Sequence, residues 1–227
     1  MERDFRKSEL YEECYRFQER RSNTRFVAFI LLLVLCLYGL RLYWVNNFGG
    51  VEIDGASMNN TLYHGEQLLM KYSKDGKDAK RGDIIVVYVA EYPEIIEYNE
   101  TRLAEKKLTY LIKRLIAVEG DVVKCEDGQV SVKYAGSEEY VTLDEPYAHY
   151  LSQGYKENYD FGPYAVGEGE IFFLGDNRNN SIDSRYGIDD GSHLKDKLYK
   201  VEDIFGIVPS WAVKHQKILE KIFFSNN

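Results

Sequence analysis

Three separated stretches of the 227-residue chain hold residue types that can do or support acyl-transfer chemistry. The first is residues 51–62, V-E-I-D-G-A-S-M-N-N-T-L. An extended Val51-Glu52-Ile53 leads into Asp54-Gly55-Ala56, and Ser57 follows with small residues behind it. Small neighbours let a peptide backbone come close to the hydroxyl, as a nucleophile acting on a peptide requires. Serine after glycine is also an ordinary turn residue, so this stretch gains weight only from the other two.

The second stretch, residues 108–118, reads L-T-Y-L-I-K-R-L-I-A-V, with two basic residues inside an apolar strand pattern. Strand side chains alternate, so Lys113 shares a face with Leu111 and Leu115, and Arg114 with Ile112 and Ile116. Whichever face is buried, a charged residue goes in with it. A buried lysine is destabilised as the cation and becomes a general base near neutral pH. An edge strand with both side chains in water is the other reading of the same pattern. The third stretch, residues 171–187, runs I-F-F-L into G-D-N-R-N-N-S-I-D-S-R-Y-G. A polar cluster packed on an apolar strand must satisfy itself, and the means are Asp176 and Asp183 as acceptors with Arg178 and Arg185 as fork donors. Such a cluster makes a rigid support for a catalytic pair.

Before these stretches comes the element that would hold them at a surface. Residues 26–40 are uninterrupted apolar, F-V-A-F-I-L-L-L-V-L-C-L-Y-G-L. As a helix they cover roughly 22 Å, short of the roughly 30 Å hydrocarbon core. Residues 41–45 complete the span if Arg41 snorkels, with Tyr43 and Trp44 at the headgroups. No small-x-small cleavage site follows, so the run reads as an uncleaved anchor over 26–45. Residues 1–25 carry seven Lys/Arg and six Asp/Glu and read as a short solvated helix within 8–21, capped by Ser8. Arg20, Arg21 and Arg25 precede the anchor and only Arg41 follows closely, which keeps the N-terminus in the cytoplasm and residues 46–227 outside.

That outer part holds 21 Lys/Arg against 31 Asp/Glu, so electrostatics does not hold it to an anionic bilayer. Acidity, and the lack of a basic patch with interleaved aromatics, argue against nucleic acid. Strand patterns recur at 67–72, 83–89, 108–118, 171–174 and 204–209, with a β excursion over 122–170 and a short amphipathic tail over 211–224. Residues 91–107 are densely charged and read as a helix or a mobile excursion. His64, His149, His193 and His215 share no spacing, and Cys14, Cys36 and Cys125 have no metal-ligand or Cys-x-x-C pattern, so no metal site is read.

Together these segments resemble the bacterial type I signal peptidases (leader peptidases) of the single-anchor kind usual in Gram-positive bacteria. Gly55, Ser57, Met58, Thr61 and Leu62 meet that family's G-x-S-M-x-P-T-L. Lys113-Arg114 with Gly120-Asp121 resembles its K-R-x-I-x-x-P-G-D, and residues 175–185 match G-D-N-R-x-x-S-x-D-S-R in full. Asn60 and Glu119 stand where the family has proline, and so does Gly167, departures expected to cost loop rigidity rather than chemistry. Gly55 removes the side-chain oxyanion donor that some relatives carry two residues before the nucleophile.

The resemblance implies a mainly β chain. A single transmembrane helix would precede a coiled antiparallel sheet domain of the type shared with self-cleaving repressors. It implies a Ser57–Lys113 dyad, Ser181 orienting the lysine amine, and Asp176, Arg178, Asp183 and Arg185 holding the loop. Ile53, Met58 and Ile112 would line shallow pockets for the small side chains of an Ala-x-Ala site. The substrates would be exported preproteins, cut beside the secretion translocase at the lipid bilayer, with no metal or cofactor. A self-cleaving repressor is excluded by the anchor and by the 175–185 segment, and the endoplasmic-type peptidase by lysine in place of histidine. A specialised or non-cleaving relative in surface-protein or pilus assembly is the alternative, and the presence of both Ser57 and Lys113 speaks against a non-cleaving one.

Overall fold

A computed structural model describes residues 2–89, 96–98, 105–107, 110–157, 159–185 and 199–224. The chain divides into two units, Met1–Asn47 and Phe48–Asn227. The first is one helix, α1 (Glu2–Asn47), without the break expected between a solvated helix and an anchor. Nothing in residues 20–26, R-R-S-N-T-R-F, stops it: there is no proline or glycine, and the Thr24 hydroxyl donates back to the Arg20 carbonyl instead of ending the ladder. Its Tyr11–Asn47 portion is long and apolar enough to cross a membrane.

The second unit is built from β-sheets. Its strands are β1 (Phe48–Glu52), β2 (Gln67–Tyr72), β3 (Ile84–Tyr88), β4 (Ile96–Tyr98), β5 (Glu105–Lys107), β6 (Tyr110–Val118), β7 (Val122–Glu126), β8 (Gln129–Lys133), β9 (Tyr140–Thr142), β10 (Phe161–Ala165), β11 (Ile171–Leu174) and β12 (Ile204–Val208). A six-stranded sheet runs β1-β2-β12-β3-β6-β11 and a four-stranded sheet runs β10-β7-β8-β9, with every named pairing antiparallel. The 91–107 stretch contributes a short antiparallel pair, β4 with β5, where a helix or mobile excursion was expected; its other residues lie outside the described ones. Short helices α2 (Gln153–Glu157), α3 (Ser210–Lys214) and α4 (Gln216–Phe223) complete the unit.

Strand β6 sits between β3 and β11, and this decides the fate of its two cations. Apolar residues cover both of its faces. Leu111 and Leu115 join a cluster with Ile85, Val87 and Phe173, while Ile112 packs on one holding Ile84, Val86, Met58 and Ile53. The edge-strand reading is thereby removed: Lys113 is 2% exposed and Arg114 9%. In the β11–β6 register Leu174 lies opposite Arg114. One antiparallel step further the chain leaves the sheet at Gly175, beside the level of Lys113. The sequence thus delivers the polar loop to the lysine.

Candidate active site

Lys113 Nζ lies 2.8 Å from Ser57 Oγ, joining residues 56 positions apart. It also donates to the Ile112 carbonyl at 2.9 Å. Ser57 stands on a tight turn after β1, in which Asn59, Thr61 and Leu62 amides bond back to Ala56 and Met58 carbonyls. Gly55, at φ +94°, supplies the left-handed step into this turn, and its N–H donates to Nδ1 of His64 at 3.2 Å.

The loop after β11 holds the turn from the other side. The Asn177 amide donates to the Ser57 carbonyl at 3.0 Å, and its side-chain amide to the Ala56 carbonyl at 3.0 Å. Thr61 Oγ1 donates to Asp176 Oδ2 at 2.5 Å. Asp176 is fully buried and grips Arg114 through a fork, Nε to Oδ1 at 2.8 Å and an Nη to Oδ2 at 2.6 Å. The neighbour of the lysine, the turn of the serine and the polar loop therefore share one carboxylate. Gly175 closes the arrangement. A Cβ there would meet Ser181 Oγ and come within 2.6 Å of the Ser57 carbonyl, so only glycine lets the two loops touch.

The four supporting residues are all in this loop, with one partner the sequence did not suggest. Arg178 is buried and forks onto Glu145, at 2.6 and 3.1 Å, rather than onto an aspartate of its own segment. Burial opposes its charge, but the Glu145 carboxylate more than offsets this and raises its pKa. Arg185 forks onto Asp183 at 2.8 Å on both oxygens, and the Gly175 N–H adds a bond to Asp183 at 3.0 Å. Burial pushes the Asp183 pKa up, yet Arg185 and these hydrogen bonds outweigh it and hold the carboxyl below its ordinary range.

Ser181 sits against Gly175 with its hydroxyl buried. That hydroxyl makes no hydrogen bond, to Lys113 or to another described group. Ile53 and Met58 are 3% and 1% exposed and belong to the core under the Ser57 turn, whereas Ile112 is half-buried beside it. Asn177, Thr61, Arg114 and Gly175 were not singled out as site residues from the sequence. A polar residue directly after Gly175-Asp176, and a second cation beside the lysine, were the available signals. Cys125 lies in the core on β7 of the four-stranded sheet, where burial pushes its thiol up to about 12. No group of metal-binding side chains occurs among the described residues.

A serine hydroxyl against a buried lysine amine, on a mostly antiparallel β unit, is the arrangement of a Ser–Lys hydrolase. The comparisons narrow this. The model of the signal peptidase, peptidase S26 family matches residues 23–210. The chain is 30% identical over 202 residues to signal peptidase I P of Bacillus subtilis subsp. natto, covering 88% of this chain and 98% of that protein. It is 33% identical over 172 residues to signal peptidase I of Bacillus licheniformis, covering 75% of this chain and 82% of the relative. A solved signal peptidase I from Enterococcus faecalis V583 aligns at 24% identity and a TM-score of 0.39, over 58% of this chain and 97% of that one. The chain belongs to the peptidase S26 signal peptidase family.

Proposed function

We propose that this peptidase removes signal peptides from exported preproteins, with Ser57 as nucleophile and Lys113 as general base. The observation that supports it most is the 2.8 Å contact between Ser57 Oγ and the Nζ of a lysine with 2% exposure. Burial penalises the ammonium form. A neutral amine that gives one N–H to the Ile112 carbonyl keeps its lone pair for the Ser57 proton.

In the forward step Ser57 Oγ attacks the scissile carbonyl while Lys113 takes the hydroxyl proton. The tetrahedral oxyanion collapses, the C–N bond breaks, and Lys113 returns the proton to the leaving amine. Water, deprotonated by the same amine, then attacks the ester; the bond from the acyl carbon to Ser57 Oγ breaks, Lys113 returns the proton to that oxygen, and the acid product leaves. The Ser57 amide is the oxyanion donor in this scheme, complemented by water or another amide. Extended substrate adds to β1, which lies at one edge of the six-stranded sheet with β2 on its other side. Ile112, with Ile53 and Met58 beneath it, forms a shallow apolar wall for the small side chains of an Ala-x-Ala site. Asp176, Arg178, Asp183 and Arg185 keep the loop rigid, and Ser181 fills the space between that loop and the turn.

The Tyr11–Asn47 portion of α1 is the anchor in this reading, crossing the bilayer through 26–45. The N-terminus faces the cytoplasm and residues 46–227 work outside, beside the secretion translocase. The test is cleavage of a preprotein carrying an Ala-x-Ala site by the detergent-solubilised full chain, with Ser57→Ala and Lys113→Ala alongside. The reading expects cleavage by wild type alone; folded wild type that cuts neither this preprotein nor the cell's own exported proteins would reject it.

A further inference from the structure

The segment from Glu145 to Leu151 has no part in the chemistry above, yet it touches all three stretches that build the site. Tyr147 is its centre. Its ring lies under the Arg114 guanidinium, 3.8 Å from the charge to the centroid, next to the lysine. Its carbonyl accepts the Asn60 side-chain amide at 3.0 Å, on the serine turn. Its hydroxyl donates at 3.1 Å to Glu145, the partner of Arg178 in the polar loop. The backbone repeats the connection: the His149 amide donates to the Asp176 carbonyl at 2.7 Å, and the Arg178 amide to the His149 carbonyl at 2.9 Å.

Asn60 has a second unusual property, a φ of +91°. Asparagine tolerates this region, but a proline ring fixes φ near −65° and cannot enter it. The residue that departs from the family motif therefore suits a backbone that proline could not adopt, and its side chain bonds where a proline has nothing to offer. The other two departures follow the same logic. The Glu119 carboxylate accepts the Gly169 N–H at 2.9 Å, and the Gly167 N–H, which proline lacks, donates to Glu170 at 2.9 Å. Rigidity expected to be lost with three ring constraints is carried by three hydrogen bonds.

We infer that the 145–151 segment is a strap that positions the nucleophile: Asn60 and Tyr147 hold the Ser57 turn in register with the Lys113 strand. Both are positioning residues, acting through Ser57 and Lys113, and the inference rests on those two as the reacting pair. Strap and turn behave as one unit, so loosening either end releases the same constraint.

The test uses the full chain in detergent, with preprotein cleavage and amide hydrogen exchange measured on each variant. Tyr147→Leu and Asn60→Gly are each expected to lower kcat by about tenfold, with KM within about twofold, because a misplacement of about 1 Å costs up to about a hundredfold. Their double variant loses no more than the worse single one. Tyr147→Phe, which keeps the ring over Arg114, stays near wild type. Asn60→Pro, the family residue, impairs cleavage instead of improving it. Exchange quickens at the Thr61 and Leu62 amides, which bond to the Met58 carbonyl, while β3 stays protected.

Because exchange needs no turnover, it tests the strap even where the peptidase reading fails. Should Tyr147→Leu not fold, the surface variant Asn60→Gly carries the test alone. Unchanged exchange in the turn, multiplying losses in the double variant, or full activity in Asn60→Pro would each overturn the strap.

Discussion

The two loops that meet beside Lys113 are held in opposite ways. The 175–185 loop is braced by buried charge: Asp176, Arg178 and Asp183 are essentially inaccessible, and forks of Asp176 with Arg114, Arg178 with Glu145 and Arg185 with Asp183 use up its charges. The Ser57 turn holds no buried charged side chain, and it keeps its serine partly exposed. It borrows rigidity instead, from Asn177 at two carbonyls, from Asp176 through Thr61, and from Tyr147 through Asn60. A nucleophile must stay reachable by a peptide, so bulky braces cannot surround it. Placing the expensive buried charges one loop away solves that conflict.

The comparison is broken most severely by removing the shared carboxylate. Asp176→Ala leaves the Arg114 guanidinium buried without its fork, which costs about 3–5 kcal/mol. For a unit of this size that is a fall in Tm of about 10 °C in a thermal melt. Gly175→Ala attacks the interface between the loops rather than either loop. With the Ser57 carbonyl and Ser181 both in the way of a Cβ, kcat should fall by about a hundredfold. Its Tm should drop less than that of Asp176→Ala.

Asn177→Ala removes one borrowed hydrogen bond, from its side-chain amide to the Ala56 carbonyl, worth about 1 kcal/mol, and leaves the backbone bond to the Ser57 carbonyl in place. It should cost about fivefold in kcat with little change in Tm, measured by cleavage kinetics and melting on one preparation.

The smallest effect tests the charge-braced loop by pH. The Asp183 carboxyl has a lowered pKa in the folded chain, so the unfolded chain binds its proton first as pH falls. The stability it contributes is complete above the unfolded value near 3.9 and is lost as pH falls through the lower folded value. Asp183→Asn should flatten the dependence of Tm on pH between about 5 and 3. The same slope in wild type and variant would show that the charge is not what braces the loop.

Much of this arrangement was legible from residue types. The 108–118 pattern placed a cation on each face of one strand, and flanking strands buried both. The apolar run into Gly175-Asp176 announced a polar loop, but only Asp183 and Arg185 pair within it; Asp176 and Arg178 take Arg114 and Glu145 from other segments. What the pattern could not show were partners distant in sequence and set by tertiary packing. Glu145 reached Arg178 from a stretch with no recognisable chemistry, and the spacing within 175–185 offered aspartates in its place. The resemblance assigned Ile53 and Met58 to a pocket wall, and the packing that also makes them core under the Ser57 turn depends on tertiary contacts no local pattern displays. Helix α1 runs through the charged segment because its composition contains no breaker, and a change from polar to apolar residues does not end a helix.

The most direct measurement of the central claim, that a buried lysine amine deprotonates Ser57, is the pH dependence of kcat/KM for preprotein cleavage. The account predicts a rise of one logarithmic unit per pH unit that levels off well below pH 10, short of where a free lysine amine titrates, near 10.4. The rise should vanish with the activity in Lys113→Ala. Activity still climbing at pH 10, or the same profile surviving in Lys113→Ala, would contradict it.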